Sequence, residues 1–125
     1  MISTPSVITI DGLSGSGKST ISKLISQKIK WNLLDSGILY RAISFLLETN
    51  INKENLEDKI TKIISEINLS TVKKSYNYHV FYKNKDITKS LFNEKVGLNA
   101  SKISQLKFVR SLLLPLQHSC IQPPG

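Results

Sequence analysis

The chain has 125 residues, of which 40% are hydrophobic, and this is the length and composition of one globular domain. Its densest apolar stretch, Leu112–Leu114, is interrupted by Pro115 and is too short to cross a membrane. The single cysteine, Cys120, cannot form an internal disulfide, so we expect a reducing, cytoplasmic environment. The net charge of +8 is spread over scattered lysines, and only Lys73 and Lys74 are adjacent, so we expect no nucleic-acid partner.

The first motif is a glycine-rich loop between an apolar run and a helical pattern. Val7–Ile10 predicts a strand, and residues 18–30 have the apolar spacing of a helix. Between them the sequence reads G-x-x-x-x-G-K-S, a pattern whose backbone amides surround phosphate groups. Lys18 can reach the terminal phosphates of a nucleoside triphosphate, and the Ser19 hydroxyl can bind Mg²⁺. The residues predicted to hold the triphosphate are Gly12, Leu13, Ser14, Gly15, Ser16, Gly17, Lys18, Ser19 and Thr20.

A second motif, LDSGILYR, follows another short apolar run. Trp31–Leu34 predicts a strand that ends at Asp35, and a helix then begins at Ser36 or Gly37. Strand–helix–strand order is typical of a parallel pair that binds ligands at the carboxyl ends of its strands. Ser36 and the helix start can meet an anion there, and the Arg41 guanidinium can bind a phosphate with two hydrogen bonds. Two anion sites suggest a nucleotide kinase, although spacing alone leaves a helix-capping Ser36 and a solvated Arg41 equally open.

The remaining chain predicts a mixed helical and β segment at about residues 51–110. Asn52 is predicted to cap a helix with one apolar face, and residues 69–83 alternate as β structure. Two further helices are expected, one around Ala100 and one around Leu113. Pro115 lies within the second of these and predicts a kink or a helix end, because it lacks an amide donor and its ring clashes one turn back.

In combination, the two motifs resemble the bacterial cytidylate kinase family. The resemblance is carried by VITIDGxSGSGKST followed by LLDSGxxYR, and it continues in order to the C-terminus through Lys85–Thr88, Asn99–Ser101 and Val109–Arg110. It implies an α/β fold, a P-loop nucleoside monophosphate kinase-like parallel sheet with an inserted α+β subdomain that binds the monophosphate. Residues 6–50 would form the strand–loop–helix–strand–helix core, and about 51–110 the insert. Family members are nearly twice as long, so the C-terminal half of the fold is expected to be missing.

The resemblance also implies a reaction, transfer of the γ-phosphoryl group of ATP to CMP or dCMP in pyrimidine nucleotide metabolism. Lys18 would be catalytic, Mg²⁺ would be bound by Ser19, and the protein is expected to be a monomer. The positions that match the monophosphate site of the family are Asp35, Ser36, Arg41, Ser101 and Arg110. Because the family's arginine-bearing lid and a further acidic residue have no counterpart here, we expect residues 1–125 alone to be a weak kinase or inactive.

The chain departs from the family pattern at several positions. Leu13 stands where the family commonly has proline, and Phe92 and Asn93 stand where it often has arginine and threonine. Pro115 and His118 occupy a helix that usually carries basic residues. Two alternatives stay open, another P-loop kinase for a small molecule and a fragment that binds nucleotide or nucleic acid without catalysis.

Overall fold

The computed structural model describes residues 6–12, 17–48, 55–72, 75–121 and 125. Within these ranges the chain forms five α-helices, one 3₁₀ helix and a three-stranded sheet. No helix in them combines the length and apolarity that a membrane crossing requires. In chain order, the elements are α1 Lys18–Ile29, α2 Gly37–Glu48, α3 Leu56–Glu66, β1 Ile67–Thr71, β2 Tyr78–Tyr82, β3 Lys85–Asp86, the 3₁₀ helix Thr88–Leu91, α4 Glu94–Ile103 and α5 Lys107–His118.

The sheet is antiparallel and has the order β1–β2–β3. Leu69 of β1 lies opposite Val80 of β2, which is fully buried. Strands β2 and β3 are joined by Lys83 and Asn84, whose φ angles of 50° and 63° are those of a two-residue type I′ turn. The predicted β structure within residues 69–83 is therefore confirmed in two strands separated by a connection.

Helix α2 lies at the centre of the hydrophobic core. Leu39, Ala42 and Ile43 recur at helical spacing and have no solvent exposure. Their face of α2 packs on α3, α4, the 3₁₀ helix and β2. Burial of each leucine or isoleucine side chain stabilises the fold by about 1.5–3 kcal/mol relative to its exposure, so packing in the core fixes the position of α2. The buried core residues are Ile38, Leu39, Ala42, Ile43, Leu46, Ile60, Ile63, Ile67, Val80, Ile87, Leu91, Val109 and Leu113.

The predicted strand at Val7–Ile10 does not form. Residues 6–12 have no regular secondary structure, and the first two residues of the run are more than half exposed. A strand needs a neighbour to satisfy its backbone groups, and no other segment within the described ranges pairs with this one. Trp31–Leu34 likewise makes only one parallel bridge, from Leu33 to Asn77. The parallel sheet therefore stays a prediction.

Helix α1 forms where it was expected, but its apolar side chains do not join the core. Ile21, Leu24 and Ile29 are exposed. The end of the helix is nevertheless fixed to the segment that follows. The buried Ser26 hydroxyl donates to the Trp31 carbonyl at 2.5 Å, and the Trp31 amide donates back to the Ser26 carbonyl at 3.2 Å.

Helix α3 confirms most of the predicted apolar face. Its expected cap, Asn52, lies outside the described residues, and the helix itself begins at Leu56. Ile60 and Ile63 are buried in the core, and Ile67 is also buried but begins strand β1. The helical periodicity therefore continues one residue beyond the helix.

Of the two outcomes predicted at Pro115, the helix end is wrong, because α5 continues through it to His118, and the kink stays a prediction. The proline lies in the last turn, where only one amide donor is lost and the turn is closed by the Ser119 amide bonding to the Pro115 carbonyl at 3.0 Å. Leu113 is fully buried and Leu116 packs against the core. Burial on both sides of the proline thus offsets the cost of keeping it in the helix.

Candidate functional site

The start of α1 has the geometry of an anion site. Gly17 precedes the helix with φ 86°, a left-handed conformation that favours glycine, and it offers no side chain to cap the first amides. The first turn contains no acidic residue. Because no side chain in the described part of the chain caps this helix start, its first amides and the positive end of its dipole can meet an anion. Lys18 and Ser19 are exposed at this end.

The predicted triphosphate residues are only partly described. Gly12 is exposed, as are Gly17 and the first three residues of α1, including Thr20. The rest of the loop, Leu13, Ser14, Gly15 and Ser16, lies outside the described residues. In the parts of the chain that the structure describes, no cluster of three or more histidine, cysteine or acidic side chains could hold a metal. A single hydroxyl such as Ser19 nevertheless fits Mg²⁺, which keeps several waters and takes its other ligands from substrate phosphates.

The start of α2 is capped by Asp35. Its Oδ1 accepts a hydrogen bond from the Gly37 amide at 3.0 Å, and its carbonyl accepts one from the Ile38 amide at 3.0 Å. Ser36 is exposed beside it. Because a carboxylate already occupies this helix end, the Gly37 amide is not free to bind a phosphate.

Arg41 is half-buried, and its guanidinium is held by residues about fifty positions away in the chain. Nη1 donates to the Leu91 carbonyl at 2.9 Å and, more weakly, to the Asn93 carbonyl at 3.5 Å. Its Cζ lies 5.6 Å from the centre of the Phe92 ring, within the range of a cation–π contact. The group also lies against Gly97 of α4. Arg41 is therefore not the solvated helix residue that spacing alone had left open.

The turn that holds Arg41 is itself fixed by side-chain hydrogen bonds. Asn93 caps α4, because its Oδ1 accepts from the Val96 amide at 2.9 Å. The buried Ser44 hydroxyl of α2 donates to the Val96 carbonyl at 3.1 Å. Sequence reasoning missed both residues. Asn93 before Glu94 is a recognisable N-cap signal, whereas nothing in the local sequence indicates the bond of Ser44.

The other two predicted acceptor residues lie on α4 and α5. Burial raises the pKa of Tyr40, and the positive charge of Arg110 partly opposes that rise. The charge of Arg110 is therefore felt at α2, by the residue that precedes Arg41. Arg110 is exposed on α5, and Ser101 is exposed on α4. Ser101 is one helical turn beyond Gly97, on the face that meets Arg41. Within the described ranges α2 packs on α4, which carries Ser101, whereas α1 does not pack closely on α2.

A separate open pocket of about 360 Å³ lies beside β1, β2 and the end of α5. None of the predicted site residues that the structure describes lines this pocket, so it lies apart from them. Its lining residues are Asn32, Leu69, Ser70, Thr71, Tyr78, Ser119 and Cys120.

Comparison with known proteins agrees with the two motifs. The family model described as cytidylate kinase matches residues 8–125. The cytidylate kinase of Azotobacter vinelandii is 38% identical over 97% of this chain and 54% of its own length. That of Fusobacterium nucleatum is 39% identical over 89% of this chain and 49% of its own length. The chain therefore spans about half the length of these curated relatives, and it belongs to the cytidylate kinase family.

Proposed function

We propose that this chain carries the acceptor site and the triphosphate loop of an enzyme that transfers the γ-phosphoryl group of ATP to CMP or dCMP. The products would be ADP and CDP or dCDP. The relatives named cytidylate kinase support the reaction class. The observation that carries the acceptor assignment is the fixed guanidinium of Arg41, held through Nη1 by the Leu91 carbonyl at 2.9 Å. Family membership does not favour the non-catalytic alternative.

The basic residues of the chain support an acceptor-phosphate site at α2. Only two of the 17 lysine and arginine residues are arginines, and these are Arg41 and Arg110. Arg41 lies on α2 itself. Arg110 lies on α5, and its positive charge lowers the pKa of Tyr40, a residue of α2. Arginine binds phosphate with two parallel hydrogen bonds, which the compact ammonium group of lysine cannot provide. In a chain so rich in lysine, the presence of both arginines here supports phosphate binding by a planar guanidinium group.

The proposed roles divide between two groups of residues, one at the start of α1 and one on α2, α4 and α5. Lys18 and the amides from Gly12 to Thr20 would bind the ATP phosphates, and Ser19 would bind Mg²⁺, which supplies further neutralisation of the phosphate charge. Ser36, Arg41, Ser101 and Arg110 would bind the monophosphate, while Asp35 keeps the start of α2 in place. Phosphoryl transfer needs little covalent work from the protein, so alignment of donor and acceptor and charge neutralisation are the proposed sources of catalysis.

Calorimetric titration with CMP, UMP and AMP, with and without a non-hydrolysable ATP analogue, tests the proposal. We expect CMP to bind most tightly. Arg41→Lys should weaken CMP binding at least about tenfold, because a bidentate charged contact is lost. Lys62→Ala, which removes an exposed positive charge from α3, should leave CMP binding unchanged. Absence of CMP binding by a folded chain would refute the proposal, and RNA binding with a steep salt dependence would favour the nucleic-acid alternative.

Three further points stay predictions. These are the division into a core at residues 6–50 and an insert at about 51–110, the monomeric state, and the cytoplasmic location. Size-exclusion chromatography with light scattering at several protein concentrations would test the monomeric state. A mass that doubles with concentration would contradict it.

A further inference from the structure

We propose that Phe92 and Gly97 are positioning residues that hold the Arg41 guanidinium ready for the phosphate of the acceptor nucleotide, an inference that rests on the function proposed above. Neither residue was among the predicted site residues. Phe92 makes a cation–π contact with the guanidinium from the 3₁₀–α4 turn, and Gly97 of α4 leaves the space beside the guanidinium free of a side chain.

Phe92 has an exposure that its hydrophobicity does not explain. The side chain is 61% exposed and contributes nothing to the buried core. Its contact with Arg41 is the cation–π arrangement, with 5.6 Å between Cζ and the ring centre. Such a contact at an exposed site favours the held position of a cation by about two- to fivefold. An aromatic side chain at this turn therefore restricts where the Arg41 guanidinium can lie.

Gly97 allows the guanidinium to approach the backbone of α4. A Cβ atom at this position would lie 3.0 Å from Nη2, 3.2 Å from Nη1 and 3.3 Å from Cζ of Arg41. The two terminal nitrogens are the nearest atoms, so the space that a side chain at Gly97 would occupy lies against the Nη1–Nη2 end of the guanidinium. A glycine inside a helix lowers helix stability relative to alanine. Close approach of Arg41 is a physical reason for a glycine here despite that cost.

The contacts leave one edge of the guanidinium for a ligand. Only Nη1 donates hydrogen bonds within the described part of the chain, to the Leu91 and Asn93 carbonyls. Nη2 and Nε form the opposite edge, whose two N–H groups can bind two oxygens of one phosphate. A side chain already fixed in this orientation loses less conformational freedom when the phosphate binds. The inference is therefore that Phe92 and Gly97 increase the affinity for the acceptor nucleotide without touching it.

Side-chain NMR can test the positioning directly, because the chain has only two arginines. In ¹⁵N-labelled protein, Arg41 and Arg110 each give one Nε–H signal, and the exposed Arg110 serves as an internal control. We expect Phe92→Leu to lower the order of the Arg41 signal and remove its ring-current shift, while Phe92→Tyr preserves both. Leu98→Ala, which shortens a comparably exposed apolar side chain of α4, should change neither arginine signal.

CMP titration of the same variants tests the consequence for binding. Phe92→Leu should weaken CMP binding about two- to fivefold, and Phe92→Tyr should restore it. Gly97→Val should weaken CMP binding with little change in melting temperature, since valine is no poorer a helix former than glycine. Binding of the ATP analogue should be unaffected in all three, which separates a positioning effect from a general loss of structure.

The outcomes distinguish this inference from the function on which it rests. Wild-type protein that melts cooperatively but binds no CMP would refute the proposed function, and with it the acceptor role of Arg41. If the wild type binds CMP and Phe92→Leu binds it equally well, Phe92 does not position Arg41. If Phe92→Leu binds CMP more tightly, the contacts withhold Arg41 from the ligand, and the inference is also wrong.

Discussion

The cap of α4 allows a quantitative test of how the turn around Arg41 is built. Asn93→Ala removes the acceptor that pairs with the Val96 amide at 2.9 Å and leaves that amide without its cap. Loss of an N-cap asparagine costs about 1 kcal/mol, within a range of about 0.5–2 kcal/mol. For a domain of this size, 1 kcal/mol corresponds to a decrease in melting temperature of about 4 °C. Asn93→Asp should keep the cap and most of the stability.

Urea and thermal unfolding followed by circular dichroism measure this effect. Asn68→Ala provides a matched control, because Asn68 is an exposed asparagine of β1 outside any helix cap. We expect Asn68→Ala to change the free energy of unfolding by less than about 0.5 kcal/mol. If Asn93→Ala were no more destabilising than this control, the cap would not stabilise the turn that holds Arg41, and the reasoning from the hydrogen bond would be refuted.

Three other predictions concern the core, the hairpin and the thiol. Leu39→Ala at the centre of α2 should lower the free energy of unfolding by about 2–5 kcal/mol in urea titrations, and a loss below about 1 kcal/mol would contradict its burial. Burial raises the pKa of Asp86 less than hydrogen bonds from Thr88 and His79 lower it, so the folded pKa is depressed. Ionised Asp86 therefore stabilises the folded state above its unfolded pKa, and this stabilisation is lost as the pH falls through the folded pKa. In thermal melts below about pH 4, Asp86→Asn should show a weaker pH dependence of stability than the wild type. Burial raises the pKa of Cys120 more than its hydrogen bonds lower it, so alkylation at neutral pH should be slow and should accelerate in urea; equal rates would refute this.

Local patterns predicted the helices well because their apolar residues are spaced for a single buried face. The face of α2 that carries Leu39 and Ile43 forms the core, and α1 begins at Lys18 as the loop pattern required. The strand expected at Val7–Ile10 failed for a different reason. A strand depends on its neighbours, and hydrophobicity alone does not provide the partner that its backbone needs.

The contacts of the candidate site could not be predicted from local sequence. Arg41 meets Leu91 and Phe92 only because α2 packs against the 3₁₀ helix and α4, about fifty residues later. The pair formed by His79 and Asp86, with 2.8 Å between Nδ1 and Oδ2, likewise depends on the hairpin turn between β2 and β3. Residue type indicated that Arg41 can bind phosphate, whereas its orientation is a property of the tertiary structure.

The proposed acceptor site requires Arg41 to recognise the phosphate of a cytidine nucleotide. Its most direct test compares the affinities of CMP and cytidine, which differ only in that phosphate, for the wild type and for Arg41→Lys. We predict that the wild type binds CMP at least about tenfold more tightly than cytidine, and that this ratio falls towards one in Arg41→Lys. An unchanged ratio in the variant, or equal affinities for CMP and cytidine in the wild type, would rule out this role of Arg41.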